Sequence, residues 1–480
     1  MSILHVLILA ALSFVVFVFC VFPKTRKVRP PLLLIISSAV IYWLQPALAI
    51  RGLDFWLPTA TLSLTVLGWI LTSRSEERKW RATLTSIGLV VSTVLAITLT
   101  RYFSSSGILT PSRPPQIFLV LIVLLAVIVI LSAVSRVKRF QGALLGTAVV
   151  LLLLIFIVLK FPLITLAASA ALRSWAGQSA QMASSLDLRW LGFSYVAFRL
   201  LHTLRDRQTG RLPAMTLEEY ITYVLFFPAI SAGPIDKSDR FLRDLRRPFL
   251  PDPEQVGFAS KRIVMGLFKK FVVADLLALV SLNPTNATQV LHSPWMWVLL
   301  YAYSFQIFFD FSGYTDIAIG LAALMGIHLP ENFNAPYLKN NLTQFWNHWH
   351  ITLTQWFRTY FFNPFTRTLR SRAKSIPLWV VLLLAQLSTM ILIGLWHGFT
   401  INFFLWGCWH GLGLFIQNRW SDWTQPLAVR LEKNRGLRIS IRTISTLLTF
   451  QFVALGWVWF AMPSVELSVR VFARLFGAGA

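Results

Sequence analysis

"GLWHGFTINFFLWGCWHG", residues 394–411, places His397 and His410 each between a tryptophan and a glycine, in a run otherwise suited to hydrocarbon. A bilayer interior has no cheap place for a titrating ring, so ionisable side chains there usually face a cavity or a partner. The context is a chain of 480 residues, 56% hydrophobic and only 13% charged. Its apolar runs recur at lengths near the roughly 20 residues a helix needs to cross hydrocarbon. The fold class is therefore an all-α polytopic membrane protein. We expect about 11–12 membrane helices, with re-entrant or interfacial segments around a central cavity.

Working outward, residues 376–396 and 400–417 read as two spans joined at His397 and Gly398, and 440–461 as a last one. Six plain spans open the chain, at 3–22, 31–50, 54–73, 83–103, 115–135 and 141–161. The first has no basic n-region or small-residue cleavage site, so it reads as a retained span and not as a signal peptide. We expect N-terminal transmembrane helices over 1–186 and a core over 187–480, forming one continuous membrane domain.

A formal net charge of +25 would suggest nucleic acid in a soluble protein, but here it is confined to short loops. Lys24, Arg26, Lys27 and Arg29 follow the first span, Arg74, Arg78, Lys79 and Arg81 the third, and Arg136, Lys138 and Arg139 the fifth. The connections around Arg51 and from Ser104 to Arg113 are poorer in cations, which is the positive-inside alternation and puts the N-terminus outside. Topology and attraction to anionic membrane lipid account for most of this charge, the rest being available to an anionic partner on the cytoplasmic face. No nucleic acid is needed. Cys20 and Cys408 both lie in apolar runs, which supports neither a disulfide framework nor a cysteine metal site.

Past residue 186 polar and aromatic residues interrupt the apolar runs. "YITYVLFFPAISAGPI" (220–235) is broken by Pro228, Gly233 and Pro234 and has basic residues on both sides, so it is expected to dip in and return. Broken backbone at membrane depth is tolerated only where protein or a water-filled cavity satisfies its amides. "GFASKRIVMGLFKKFVVADLL" (257–277) reads as an interfacial start continuing as a span. "FWNHWHITLTQWFRTYFFNPF" (345–365), ending in Arg367, Arg370, Arg372 and Lys374, reads as a second re-entrant or tilted element near the cytoplasmic side.

The ionisable cluster within 306–410 is the candidate site. Asp310 shares a helix face with Gln306, Gly313 and Tyr314, and Asp316 points elsewhere; hydrogen-bonded carboxylates that lock helices and a catalytic pair are both open readings. His348 and His350 are two apart, so only one can face a shared cavity if they lie on a helix. On one continuous helix His397 and His410 would lie roughly 20 Å apart along the axis and on different faces. No i, i+4 histidine pair suggests a metal, and none is expected. For each histidine, a structural hydrogen bond competes with proton transfer near neutral pH.

"FFPAISAGPI", "FQIFFDFSGYTDIAIGLA", "ENFNAPY", "FWNHWHITLTQWFRTYFFNPF" and "GLWHGFTINFFLWGCWHG" resemble, in order and spacing, the membrane-bound O-acyltransferase family, over about 192–460. The branch they resemble contains the alginate O-acetyltransferase and teichoic-acid D-alanyl transfer membrane proteins. The resemblance makes His397 the catalytic histidine and His350, in "WHITL", a second functional one. His348 stands where the family often has arginine, and His410 falls in a trailing motif that is not the catalytic one.

The resemblance implies acyl transfer, most simply acetyl, from a cytoplasmic thioester to a hydroxyl of an exported or cell-envelope polysaccharide, or to a partner protein. Asn332 and Asn334 are expected to orient the donor or stabilise an oxyanion, and Asp310, Tyr314, Trp346 and Trp396 to line the cavity. No permanently bound cofactor is implied; acetyl-CoA or an acyl carrier protein thioester would serve as co-substrate. A secreted or membrane-anchored acyltransferase partner and a bacterial inner membrane location complete the expectation. A proton-coupled exporter of an anionic or lipid-linked solute, relaying through Asp310, Asp316 and the histidines, is the main alternative, and a scaffold in an export complex a further one. No inverted half-repeat of the common transporter kind is evident.

Overall fold

The computed structural model describes residues 2–22, 26–103, 109–137, 141–250, 252–372, 376–431 and 434–478. Lys24, Ser104, Lys138, Arg139 and Lys374, used above in reading the loops, lie outside the described residues. The protein is all-α and polytopic. Among the described residues, eight helices are long and apolar enough to cross a membrane. By contact the chain divides into one unit of Met1–Val264 with Ile317–Pro330, and another of Met265–Asp316 with Glu331–Ala480.

The first unit contains α1 (Ile3–Val21), α2 (Arg29–Trp43), α3 (Leu53–Thr72), α4 (Trp80–Leu99), α5 (Ile117–Arg136), α6 (Gln141–Lys160) and α7 (Pro162–Trp175), then α8 (Phe193–Gln208), α9 (Leu217–Leu225) and α10 (Ser238–Arg246). The span expected over 31–50 is only a fifteen-residue helix ending at Trp43. Pro46 denies the helix a backbone donor and biases the residue before it toward extended backbone. That residue, Gln45, is buried and bridges to Arg189 O at 2.7 Å and Leu191 N at 3.1 Å.

The stretch 220–235 is broken as its prolines require. A capping box of Thr216 and Glu219 starts α9, which stops at Leu225 before a single tight turn, Phe227–Ala229. The carbonyls freed there are met by Arg199, a guanidinium only 2% exposed, which donates to Val224 O at 2.9 Å and Ala229 O at 3.2 Å. Protein, in the form of one buried arginine, supplies what water would supply outside a membrane.

The helix α11 (Pro253–Phe268) and the long α14 (Ser293–Leu324) belong in part to each unit. The second unit adds α12 (Asp275–Leu279), α13 (Pro284–Gln289), α15 (Leu342–His348), α16 (Ile351–Phe357), α17 (Asn363–Arg372), α18 (Leu378–His397), α19 (Ile401–Leu431), α20 (Arg435–Ala461) and α21 (Val465–Leu475). Wide π-helical turns link α11 to α12 over Lys269–Ala274, and α16 to α17 over Arg358–Phe362. The expected 345–365 element is thus three short helical pieces. The 400–417 span lies within the 31-residue α19.

The helices α18 and α19 form a hairpin at backbone contact. A Cβ added to Gly394 would fall on the Phe403 carbonyl oxygen, and one added to Gly407 would lie 2.6 Å from Ile391 Cα. Small residues at such crossings let membrane helices approach closely, which explains the glycines of the 394–411 motif.

Candidate active site

His397 is the last residue of α18, where the chain turns through Gly398 into α19. Its ring is half-buried in an aromatic box, with centroids 4.5 Å from Trp396, 4.8 Å from Phe460, 5.9 Å from Trp406 and 6.0 Å from Phe403.

His350 lies at a break. It has left-handed backbone, φ 42° and ψ 53°, unusual for a residue with a side chain, and sits at the N-cap of α16 without capping it. Asn332 caps instead: its Oδ1 accepts from Thr352 Oγ1 at 2.6 Å and Thr352 N at 3.3 Å, while its carbonyl accepts from Ile351 N at 2.9 Å. The Asn334 amide donates to His348 O at 3.1 Å, and its side chain is exposed. Both asparagines, expected to meet the donor, therefore hold the histidine turn: Asn332 through its side chain, Asn334 through its backbone.

That turn packs the His350 ring edge-on against Phe311, 4.7 Å between centroids, and 6.4 Å from Trp396. Trp396 is thus next to both His350 and His397. The His350 ring is 3% exposed, and neither ring nitrogen has a hydrogen-bond partner.

The separation expected for His397 and His410 is corrected by the hairpin. The break at Gly398 folds α19 back, and Trp406 lies 5.9 Å from His397 and 4.9 Å from His410. His410 is fully buried between Trp346, Trp406, Phe452 and Trp457, with Gly456 leaving room for its ring: a Cβ there would be 2.8 Å from His410 Nε2. Its ring nitrogens are likewise unpartnered, as are Asn332 Nδ2 and the indole nitrogens of Trp346 and Trp406. Each such group costs about 1–3 kcal/mol when left unpaired, and a native structure that keeps several together needs a reason.

The carboxylates do different work. Asp316 accepts from Lys269 at 2.6 Å and Asp310 pairs with Lys270, so two adjacent lysines on the π-helical turn are tied to two carboxylates of α14. Asp310 is half-exposed in this pair. Tyr314 is buried on the same helix. The lysine partners, Lys269 and Lys270, were visible in sequence as cations of the stretch 257–277, which reads as an interfacial start continuing as a span. Phe311 and Phe460, which pack against the two histidines, carried no signal beyond aromatic richness.

Near the His350 turn, a cavity of about 410 Å³ is lined by Lys339, Asn340, Asn341, Gln344, His348 and Arg442. His348 faces this polar space, its Nδ1–H donating to Gln344 O at 2.7 Å, while His350 is buried; the left-handed break at residue 350, and not helical spacing, separates them. Among the described residues no three His, Cys, Asp or Glu side chains converge as a metal site.

The family profile described as MBOAT, membrane-bound O-acyltransferase family, matches residues 143–453. A protein named "Probable alginate O-acetylase AlgI" from Pseudomonas syringae pv. tomato is 32% identical over 300 residues, 60% of this chain and 52% of that one. A teichoic acid D-alanyltransferase from Streptococcus thermophilus is 33% identical over 242 residues, 48% of this chain and 58% of its own. A peptidoglycan O-acetyltransferase from Helicobacter pylori is 31% identical over 262 residues, 54% and 46% respectively. The chain spans about half the length of these curated relatives. The matched region contains α18 and α19 and the His350 turn, and covers more than half of the chain: the protein belongs to the membrane-bound O-acyltransferase family.

Proposed function

We propose that the protein transfers an acyl group, acetyl in the simplest case, from a cytoplasmic thioester to a hydroxyl of a cell-envelope or exported polysaccharide, directly or through a partner protein, in a bacterial inner membrane. The observation that carries this reading is the pairing of a half-buried His397 with a buried His350 across the Trp396 ring. The relatives named as acetylases and a D-alanyltransferase support the reaction class.

In this reading His397 removes the acceptor's hydroxyl proton as its oxygen attacks the thioester carbonyl carbon. The tetrahedral oxyanion collapses with cleavage of the carbon–sulfur bond, and the imidazolium returns the proton to the leaving thiolate. A base that titrates near neutral pH serves both steps. His350, a buried ring with no internal partner, would donate to the developing oxyanion, a role in which a preorganised donor in a dry site is most effective. The tryptophans exclude water that would otherwise hydrolyse the thioester. Anionic donors, acetyl-CoA or an acylated carrier protein, are favoured by the basic lining of the Lys339–Arg442 cavity.

The export alternative needs carboxylates free to relay protons, and Asp310 and Asp316 are engaged with lysines. The deciding experiment measures thiol release from acetyl-CoA, and in parallel from an acetylated carrier protein, by wild type and by His397→Ala at matched folding. We expect turnover by the wild type with at least one donor and a loss of roughly 10²–10⁴-fold in the variant. No turnover with either donor, alongside transport of an anionic solute, would overturn the reading.

A further inference from the structure

Two cavities of the first unit share lining residues and differ in character. The larger, about 400 Å³, is walled by α3, α4 and α5 with aliphatic side chains such as Leu62, Val66, Val91 and Leu124. The other, about 330 Å³, is lined by Arg74, Arg78 and Arg207, with Glu76 as its one carboxylate. Ile70, Arg78 and Ser135 line both.

Arg78 marks the junction. It donates to Ile70 O at 2.5 Å, Ser135 O at 3.4 Å and Ser73 Oγ at 2.8 Å, so a fixed positive charge holds the last turns of α3 and α5 where the apolar groove meets the polar end. Trp69, near the end of α3, and Trp80, the first residue of α4, also line the groove. The loops after α3 and α5 are the basic ones that the charge alternation assigns to the cytoplasm, where the leaflet is anionic.

We propose that this composite cavity binds one anionic phospholipid, an acyl chain in the α3–α5 groove and the phosphate at Arg74 and Arg207 beside the Arg78 junction. An apolar slot ending in three arginines against one carboxylate matches an amphiphile with an anionic head. A zwitterionic lipid would bring its own cation to a cationic cluster, and a free anion would leave the slot unused.

The test uses the full chain in nanodiscs of equal phosphatidylglycerol and phosphatidylcholine, released into mild detergent, with retained lipids counted by native mass spectrometry. Arg74→Gln with Arg207→Gln removes the head contacts and spares Arg78, whose bonds hold helix ends. Val91→Trp fills the groove without touching charge. The wild type should retain phosphatidylglycerol over phosphatidylcholine by about fivefold or more, the value expected if one arginine contributes on the scale of a membrane-surface cation. The double glutamine variant should fall to parity, and Val91→Trp should retain neither lipid. Parity in the wild type, enrichment that persists without Arg74 and Arg207, or bound inorganic phosphate with no retained lipid would each overturn the proposal. A folded, monodisperse protein and an unchanged melting temperature guard each variant against trivial loss.

Discussion

His350 joins two costs in one residue, a left-handed backbone and a buried ring without hydrogen bonds. Such strain is about 1–3 kcal/mol and persists where the surroundings over-determine it, often at functional sites. Substitution separates the two. His350→Gly and His350→Ala both lose the ring, but only glycine adopts positive φ freely, so the Gly variant should melt above the Ala variant while both lose turnover by about 10²-fold or more. Equal activity in either variant and the wild type would remove His350 from the mechanism. Asp236, in the loop before α10, shows the same scale in another form. Burial pushes its carboxyl up to about 6 from an ordinary 3.8, against the pull of Arg240 at 2.6 Å. The folded state therefore holds this proton more tightly than the unfolded chain, and the contribution to stability grows as pH falls from about 6 towards 3.8. Melting temperatures of wild type minus Asp236→Asn should shift in favour of the wild type between pH 7 and pH 5; a flat difference would show that the carboxyl does not titrate there.

Helices were legible as elements, and so were the breaks at Pro228 and Gly398, while the π-helical turn and the left-handed residue were not. Hydropathy marks α1, α3, α4, α5 and α18 within a few residues, because a span must be continuously apolar whatever surrounds it. The π-helical turn at Lys269–Ala274 and the left-handed residue at 350 depend on partners distant in sequence, Asp310 and Asp316 for the first and Asn332 for the second. Helical-wheel angles for His397 and His410 failed for a related reason: the helix they assumed ends at residue 397. The Lys269–Asp316 tie belongs to this scale, since it joins the π-helical turn to α14. Asp316→Asn should lower yield and melting temperature while turnover per folded molecule stays near wild type. Lost turnover at unchanged melting temperature would instead assign the carboxylate to chemistry.

At the scale of the molecule, composition pointed to a polytopic membrane protein and five separated motifs to a family resemblance, which the profile match over residues 143–453 then showed. What composition could not show is how unevenly polar groups are distributed inside. The second unit gathers histidines and indoles whose buried nitrogens lack partners, while its neighbouring cavity gathers Lys339, His348 and Arg442. If that cavity receives the donor's phosphates, Lys339→Ala with Arg442→Ala should raise the KM for acetyl-CoA several-fold with little change in kcat. The wild-type KM should rise with ionic strength, as screening of exposed charges requires. A change confined to kcat would move the cavity's role away from binding.

The position of His397 at the end of α18 has a consequence for how the protein can change over time. Helical phase sets the bearing of its ring, so one residue inserted or deleted between Gly394 and His397 would turn it by about 100° and move it about 1.5 Å along the axis. The contact at Gly394 anchors the helix just upstream and leaves no slack to absorb the change. This three-residue interval therefore acts as a ruler: if His397 is the base, a change in its count should abolish turnover even where the helix still folds.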